Sequence, residues 1–149
     1  MRKAFLLVGH ENFGKSKTLV ELTESRNSQH VYIEKKYFAL KRKSNDDIGE
    51  NLLKYVKDVL KNKYCEYLLL CFCPDFKNSK KYSVQILETL KNECELYFFV
   101  LMKQFRGNKV VSPNEIKELK KYGKVFQYET SDDAHDRADE LVKYIKMNM

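Results

Sequence analysis

Apolar residues along this chain come either in short unbroken runs or at helical spacing, and the two patterns alternate. Ala4-Phe5-Leu6-Leu7-Val8, Tyr67-Leu68-Leu69-Leu70-Cys71-Phe72-Cys73 and Leu96-Tyr97-Phe98-Phe99-Val100-Leu101-Met102 are apolar at every position. Such runs suit strands covered on both faces, as in a parallel sheet. Val125-Phe126-Gln127-Tyr128 predicts a last short strand. Val31 to Lys41 is rich in β-formers and reads as one long strand or two short ones.

Between the runs the spacing turns helical. Lys15 to Glu24 carries Leu19, Val20 and Leu22, and the turn Asn27-Ser28-Gln29 follows. Ile48, Leu52, Tyr55, Val56, Val59 and Leu60 mark one helix that Asp46 or Asp47 can cap. A third begins at Tyr82 or Ser83 and runs through Ile86, Leu87 and Leu90. Ser112-Pro113-Asn114-Glu115 combines a capping box with proline at the first helical position, and that helix is expected to stop at Gly123. Ala134, Ala138, Leu141, Val142 and Ile145 line a closing amphipathic helix.

Strands alternating with helices predict an α/β fold of three layers. The expectation is a mostly parallel sheet of about five strands with helices on both faces. Ligands then sit outside the carboxyl ends of the strands. At 149 residues, with no repeat, linker or low-complexity segment, the chain reads as a single domain over 1–149. Hydrophobic residues make up 43%, which excludes intrinsic disorder. No apolar run approaches a membrane span, so no membrane association is expected. A signal peptide would have its cleavage site inside the first helix, so none is expected and the location reads as cytoplasmic. Cys65, Cys71, Cys73 and Cys94 lack metal-type spacing and read as buried reduced thiols. The net charge of +7 comes from lysines spread through every predicted helix. That describes a solvated surface better than a dedicated nucleic-acid face.

The chemistry begins after the first strand, at Gly9-His10-Glu11-Asn12-Phe13-Gly14-Lys15-Ser16. This is the phosphate-binding pattern G-x-x-x-x-G-K-S between a strand and a helix. Chance supplies it in well under about 1% of chains this short. Gly9 and Gly14 are expected to turn the backbone with positive φ and let it approach a phosphate. Gly9 through Lys17 form the expected nucleotide-binding segment, with Lys15 at the β/γ-phosphates and Ser16 on Mg²⁺.

Cleavage of a phosphoanhydride also needs a metal-anchoring carboxylate and groups that organise the nucleophile. Asp75, ending the strand 67–73, is the expected second Mg²⁺ ligand beside Ser16. Ser44-Asn45-Asp46-Asp47 is the other candidate, with Asp46 as a catalytic carboxylate or as a cap. Arg42 and Arg106 stand in loops after predicted strands, where a cation can stabilise transition-state charge; Arg42 is taken as catalytic with Lys15. Glu11 could act on water, and His10 shows no partner. The polar segment Lys41 to Asp47 reads either as a loop ordered by a γ-phosphate or as a rigid capped turn.

The glycine loop, the strand ending at Asp75 and the β/α order resemble the P-loop NTPase superfamily over most of the chain. The resemblance implies a P-loop NTPase-like fold, ATP or GTP as ligand, and Mg²⁺. The second half is faintly similar to small GTPases, with a strand ending in Lys103 and Tyr128-Glu129-Thr130-Ser131 before the last helix. Where those proteins read guanine with Asn-Lys-x-Asp, this chain has Met102-Lys103-Gln104-Phe105. Small P-loop kinases share the size and element order and close an arginine-rich lid over the phosphates. Phe105-Arg106-Gly107-Asn108-Lys109 is short and holds one arginine. The function expected is Mg²⁺-dependent triphosphate binding with slow hydrolysis, as a switch or a component of a larger assembly, with a protein partner or a second copy. The alternatives are a small-molecule phosphotransferase, or a non-catalytic binder of a phosphorylated ligand or nucleic acid.

Overall fold

The computed structural model describes residues 1–104 and 106–149; Phe105, placed by the sequence in the loop after the strand 96–102, lies outside the described residues. Six strands form one sheet: β1 (Arg2–Val8), β2 (His30–Ile33), β3 (Lys36–Lys41), β4 (Tyr67–Phe72), β5 (Cys94–Leu101) and β6 (Gly123–Tyr128). Their order is β2-β3-β4-β1-β5-β6, and only β2 runs antiparallel to its neighbour. The α/β reading holds, with one strand more than expected. The extra strand arises because Val31 to Lys41 folds back on itself. Glu34 and Lys35 both take left-handed backbone, at φ 51° and 63°, as a two-residue type I′ hairpin turn requires.

The unbroken apolar runs become the central strands β4, β1 and β5. Leu68, Leu69, Leu70, Cys71 and Phe72 are all fully buried, so both faces of β4 are covered. Each large side chain buried this way contributes about 1.5–3 kcal/mol. Aromatic rings pair across neighbouring strands: Phe38 stacks on Tyr67 at 4.7 Å and Phe5 on Tyr97 at 5.1 Å, each pair also facing in register.

The helices are α1 (Lys15–Thr23), α2 (Asn45–Ile48), α3 (Glu50–Lys61), α4 (Ser83–Lys91), α5 (Pro113–Lys120) and α6 (Ala134–Asn148). α1 packs with α6, and α3 with α4, giving the outer layers. The single helix expected from Asp46 onward is two. Gly49, at φ 47° and ψ −116°, breaks it where a Cβ would stand 2.7 Å from the Lys80 carbonyl oxygen. Its cap is Ser44, whose hydroxyl accepts from the Asp46 N–H, so neither Asp46 nor Asp47 is the cap. The capping box of α5 is formed by Ser112 and Glu115. That helix ends at Lys120, and Gly123 opens β6 instead, where a Cβ would collide with the Leu96 carbonyl.

Because β1, β3, β4 and β5 are parallel, the segments after Val8, Lys41, Phe72 and Leu101 emerge at one edge of the sheet. Among the described residues, no helix is long and apolar enough to cross a membrane.

Candidate functional site

The glycine loop leaves β1 at Val8 and is fastened to β4 at once: the Gly9 N–H donates to the Phe72 carbonyl at 3.1 Å. Phe13, 4% exposed, anchors the loop in the core. Left-handed backbone occurs at Asn12 (φ 66°) and Gly14 (φ 91°). Gly9 is not left-handed, contrary to the sequence expectation; a Cβ there would lie 3.0 Å from Cβ of Phe13, a tight contact that disfavours a side chain. Gly14 is the N-cap of α1 and has no side chain to occupy the first-turn N–H groups. Those groups are left for an anion.

Beside the loop is a cavity of about 360 Å³ lined by residues 11–17 with Arg42, Asp46 and Asp47. The fold therefore brings together Lys15, Ser16, Arg42 and Asp46, drawn from the ends of β1 and β3. Lys15 Nζ donates to the carbonyls of Gly9 at 2.6 Å and His10 at 2.9 Å. It also lies 3.7 Å from Asp46 Oδ2, with the two side chains only 8% and 7% exposed. Asp46 Oδ1 is buried and has no hydrogen-bond partner among the described residues. Arg42 Nη1 donates to Ser16 Oγ at 2.7 Å, and its Nε donates to the Arg26 carbonyl at 3.2 Å.

Asp75 is not brought to this cavity. It lines a neighbouring one of about 620 Å³, on the side of α5. One carboxylate oxygen accepts from the N–H groups of Lys77 and Asn78, and the other pairs with Lys81 at 3.3 Å. Burial acts to raise its pKa, but these donors outweigh burial and hold it below the usual carboxylate value. Asp75 is thus a turn-capping, lysine-paired residue, which corrects its expected placement at Ser16. Arg106 is exposed and lines neither cavity. His10 also lines the cavity on the α5 side, and its partners are now visible. Nε2 lies 2.9 Å from Glu115 Oε1 and Nδ1 3.7 Å from Cys73 Sγ. A carboxylate can only accept, so Nε2 is the donor of the pair with Glu115. Burial raises the Cys73 pKa to about 11, so the thiol stays protonated.

Three supporting residues hold roles that the sequence does not announce. Asn45, 1% exposed, makes four hydrogen bonds: its Nδ2 donates to the Cys73 and Lys81 carbonyls and to Ser83 Oγ, and its Oδ1 accepts from the Cys73 N–H at 2.7 Å. That lock seats α2 against the end of β4 and so sets Asp46 beside Lys15. Glu115 both caps α5 and holds His10. Arg137 of α6 donates through Nε to Thr18 Oγ1 at 2.9 Å and through Nη1 to the Asp132 carbonyl. Burial lowers its pKa below the ordinary arginine value, with Asp132 opposing the shift.

The donor set suits Mg²⁺. No group of three or more His, Cys, Asp or Glu is gathered for a metal among the described residues. Mg²⁺ asks for less, since it takes one or two protein ligands and completes its shell with water and substrate phosphates. The unpartnered Asp46 Oδ1 and the Ser16 hydroxyl, lining one cavity, supply that minimum.

No protein-family model matches the chain, and no curated protein matches it. Among solved structures, the chain is similar to a shikimate kinase from Acinetobacter baumannii in complex with shikimate. The identity is 14% and the TM-score 0.48, over 99% of this chain and 95% of that one.

Proposed function

We propose that the chain binds a nucleoside triphosphate, ATP or GTP, with Mg²⁺ and slowly cleaves its terminal phosphoanhydride. The observation that carries this reading is the buried Lys15–Asp46 pair in the cavity of a complete phosphate loop, with Asp46 Oδ1 left unpartnered. A buried carboxylate oxygen without a donor is costly, and a cation is the partner that removes the cost. Ser16 and Asp46 are the residues that would hold Mg²⁺. When bound, the metal neutralises charge on the β- and γ-phosphate oxygens.

The first-turn N–H groups of α1 receive the phosphates. Lys15 exchanges loop carbonyls for phosphate oxygens, and Arg42, already at Ser16, faces the charge that develops on the transferred group. Water attacks the γ-phosphorus, the bridging P–O bond breaks, the diphosphate leaves, and the water proton passes to solvent.

A second reading, phosphoryl transfer to an acceptor, is favoured by one feature. Arg42 lines both the phosphate cavity and another large cavity that an acceptor could enter. Incubation with γ-labelled ATP and GTP tests both. Free phosphate without acceptor supports hydrolysis, and acceptor-dependent labelling supports transfer. Absence of nucleotide binding at any Mg²⁺ concentration sinks both.

A further inference from the structure

The cavity on the far side of Arg42 measures about 590 Å³ and lies between residues 26–29, the β2–β3 hairpin and α3. That volume is within the roughly 300–1,000 Å³ typical of small-molecule sites. Among the described residues that line it, four are cations (Arg26, Lys41, Arg42 and Lys43) and none is an aspartate or glutamate. The cavity on the α5 side differs. Its charges are mixed, with Lys81 paired to Asp75 and His10 to Glu115. An anion therefore finds its favourable potential on the hairpin side.

The same cavity has an aromatic wall. Tyr37 is 46% exposed, and its ring stacks on His30 with centroids 5.6 Å apart and planes 18° from parallel. Deeper in, Tyr55 donates its hydroxyl to the Leu40 carbonyl at 3.3 Å, while Lys41 Nζ stands 5.2 Å over its ring. Burial raises the Tyr55 pKa, so the phenol stays neutral. A flat π surface beside cations with no competing acid matches a ligand that is itself part flat ring and part phosphate.

We propose that this cavity binds a mononucleotide unit, its base laid against Tyr37 and His30 and its phosphate held by Arg26, Lys41, Arg42 and Lys43. Arg42 couples this site to the phosphate loop, because its guanidinium contacts both Ser16 and the Arg26 carbonyl. The mononucleotide site does not depend on the triphosphate reading, and a free nucleotide and the phosphorylated end of an oligonucleotide share the chemistry.

The test is isothermal titration at low salt with AMP, GMP, UMP and a 5′-phosphorylated hexauridylate. Mg²⁺ and a saturating non-hydrolysable ATP analogue are present to fill the phosphate loop. At least one probe is expected to bind saturably, about tenfold or more weakly in Tyr37→Ala, since base stacking on an aromatic is worth that factor. Lys43→Glu is expected to weaken it further, because it reverses one of the four cations that hold the phosphate. Tighter binding of the oligonucleotide than of any monomer supports the site with a nucleic-acid end as its source; equal or weaker binding supports a free nucleotide. Absence of saturable binding by all four probes overturns the proposal, as does binding unchanged in both variants. Failure of the ATP analogue to bind would overturn the triphosphate reading alone.

Discussion

Arg137 stands over Gly14: a Cβ built on that glycine would fall 2.6 Å from Nη2 of the guanidinium. Gly14 also has φ 91°, a conformation that costs other residues energy. The backbone conformation favours glycine here, and any side chain would in addition have to displace the Arg137 guanidinium of α6. Gly14→Ala is expected to lower stability by about 1–3 kcal/mol and to abolish nucleotide-induced stabilisation. Urea denaturation with and without Mg·ATP reads both effects. Wild-type stability with an intact ligand shift would show the contact to be dispensable.

Lys15 serves the fold as well as the ligand. It compensates the buried Asp46 and bonds two loop carbonyls. Removing one partner of a buried ion pair is strongly destabilising, about 3–5 kcal/mol in dry interiors. This pair borders a cavity, so the expected cost of Lys15→Ala is nearer about 2 kcal/mol. The double variant Lys15→Ala/Asp46→Asn should recover most of it, because no charge is left alone. A double-mutant cycle in denaturant measures this; additive single effects would show the pair to be uncoupled.

Mg²⁺ dependence should follow Asp46 and not Asp75. In thermal-shift assays with ATP or GTP, Asp46→Asn is expected to lose the increment that Mg²⁺ adds, while Asp75→Asn keeps it. The reverse pattern would restore Asp75 as the metal ligand despite its pairing with Lys81.

The phosphate loop and the central strands were legible because each rests on a local rule: a fixed residue spacing, or unbroken apolarity in a doubly covered strand. The hairpin was ambiguous because its turn is Glu34-Lys35, without the glycine or asparagine that usually announces left-handed backbone. Asp75 stands after the strand next to β1, and the strand pairing is as expected. Its orientation, however, depends on Lys81 and on the turn that follows, neither of which has a sequence signature. For Asp46 the sequence offers loop position alone. The reason it reaches Lys15 is the Asn45 lock, a set of contacts 28 to 38 residues apart in sequence. Arg137, contacting Thr18 across 119 residues, was out of reach for the same reason.

Burial sets the behaviour of the thiols. All four cysteines are buried and free. Desolvation raises Cys71 to about 12 and both Cys73 and Cys94 to about 11, and it raises Cys65 as well. At pH 8 a thiol with a pKa near 11 is ionised to only about 0.1%, and the thiolate is the reactive form. The native protein should therefore consume almost no iodoacetamide at pH 8 and take up four equivalents in denaturant. Rapid labelling of any one cysteine in the native state would show that its site opens.

The segment 41–47 reads from sequence either as a ligand-ordered loop or as a rigid turn, and its contacts divide it. Ser44 and Asn45 are each 1% exposed, and Asn45 is tied to Cys73, Lys81 and Ser83 by four hydrogen bonds. Opening that half would strand several buried polar groups, each costing about 1–3 kcal/mol. Arg42 and Lys43 lack such anchorage: Arg42 is held through one side-chain contact to Ser16 and one to the Arg26 carbonyl, and Lys43 is exposed. A phosphate that draws on Arg42 must change those two contacts and none of Asn45's. Hydrogen exchange is therefore expected to show strong protection from Asp47 to Gly49 without nucleotide, with diphosphate and with a non-hydrolysable triphosphate alike. Any nucleotide response should be confined to Arg42 and Lys43. Loss of protection at Asp47–Gly49 on removal of nucleotide would mean that the whole turn, and Asp46 with it, is ordered by the ligand.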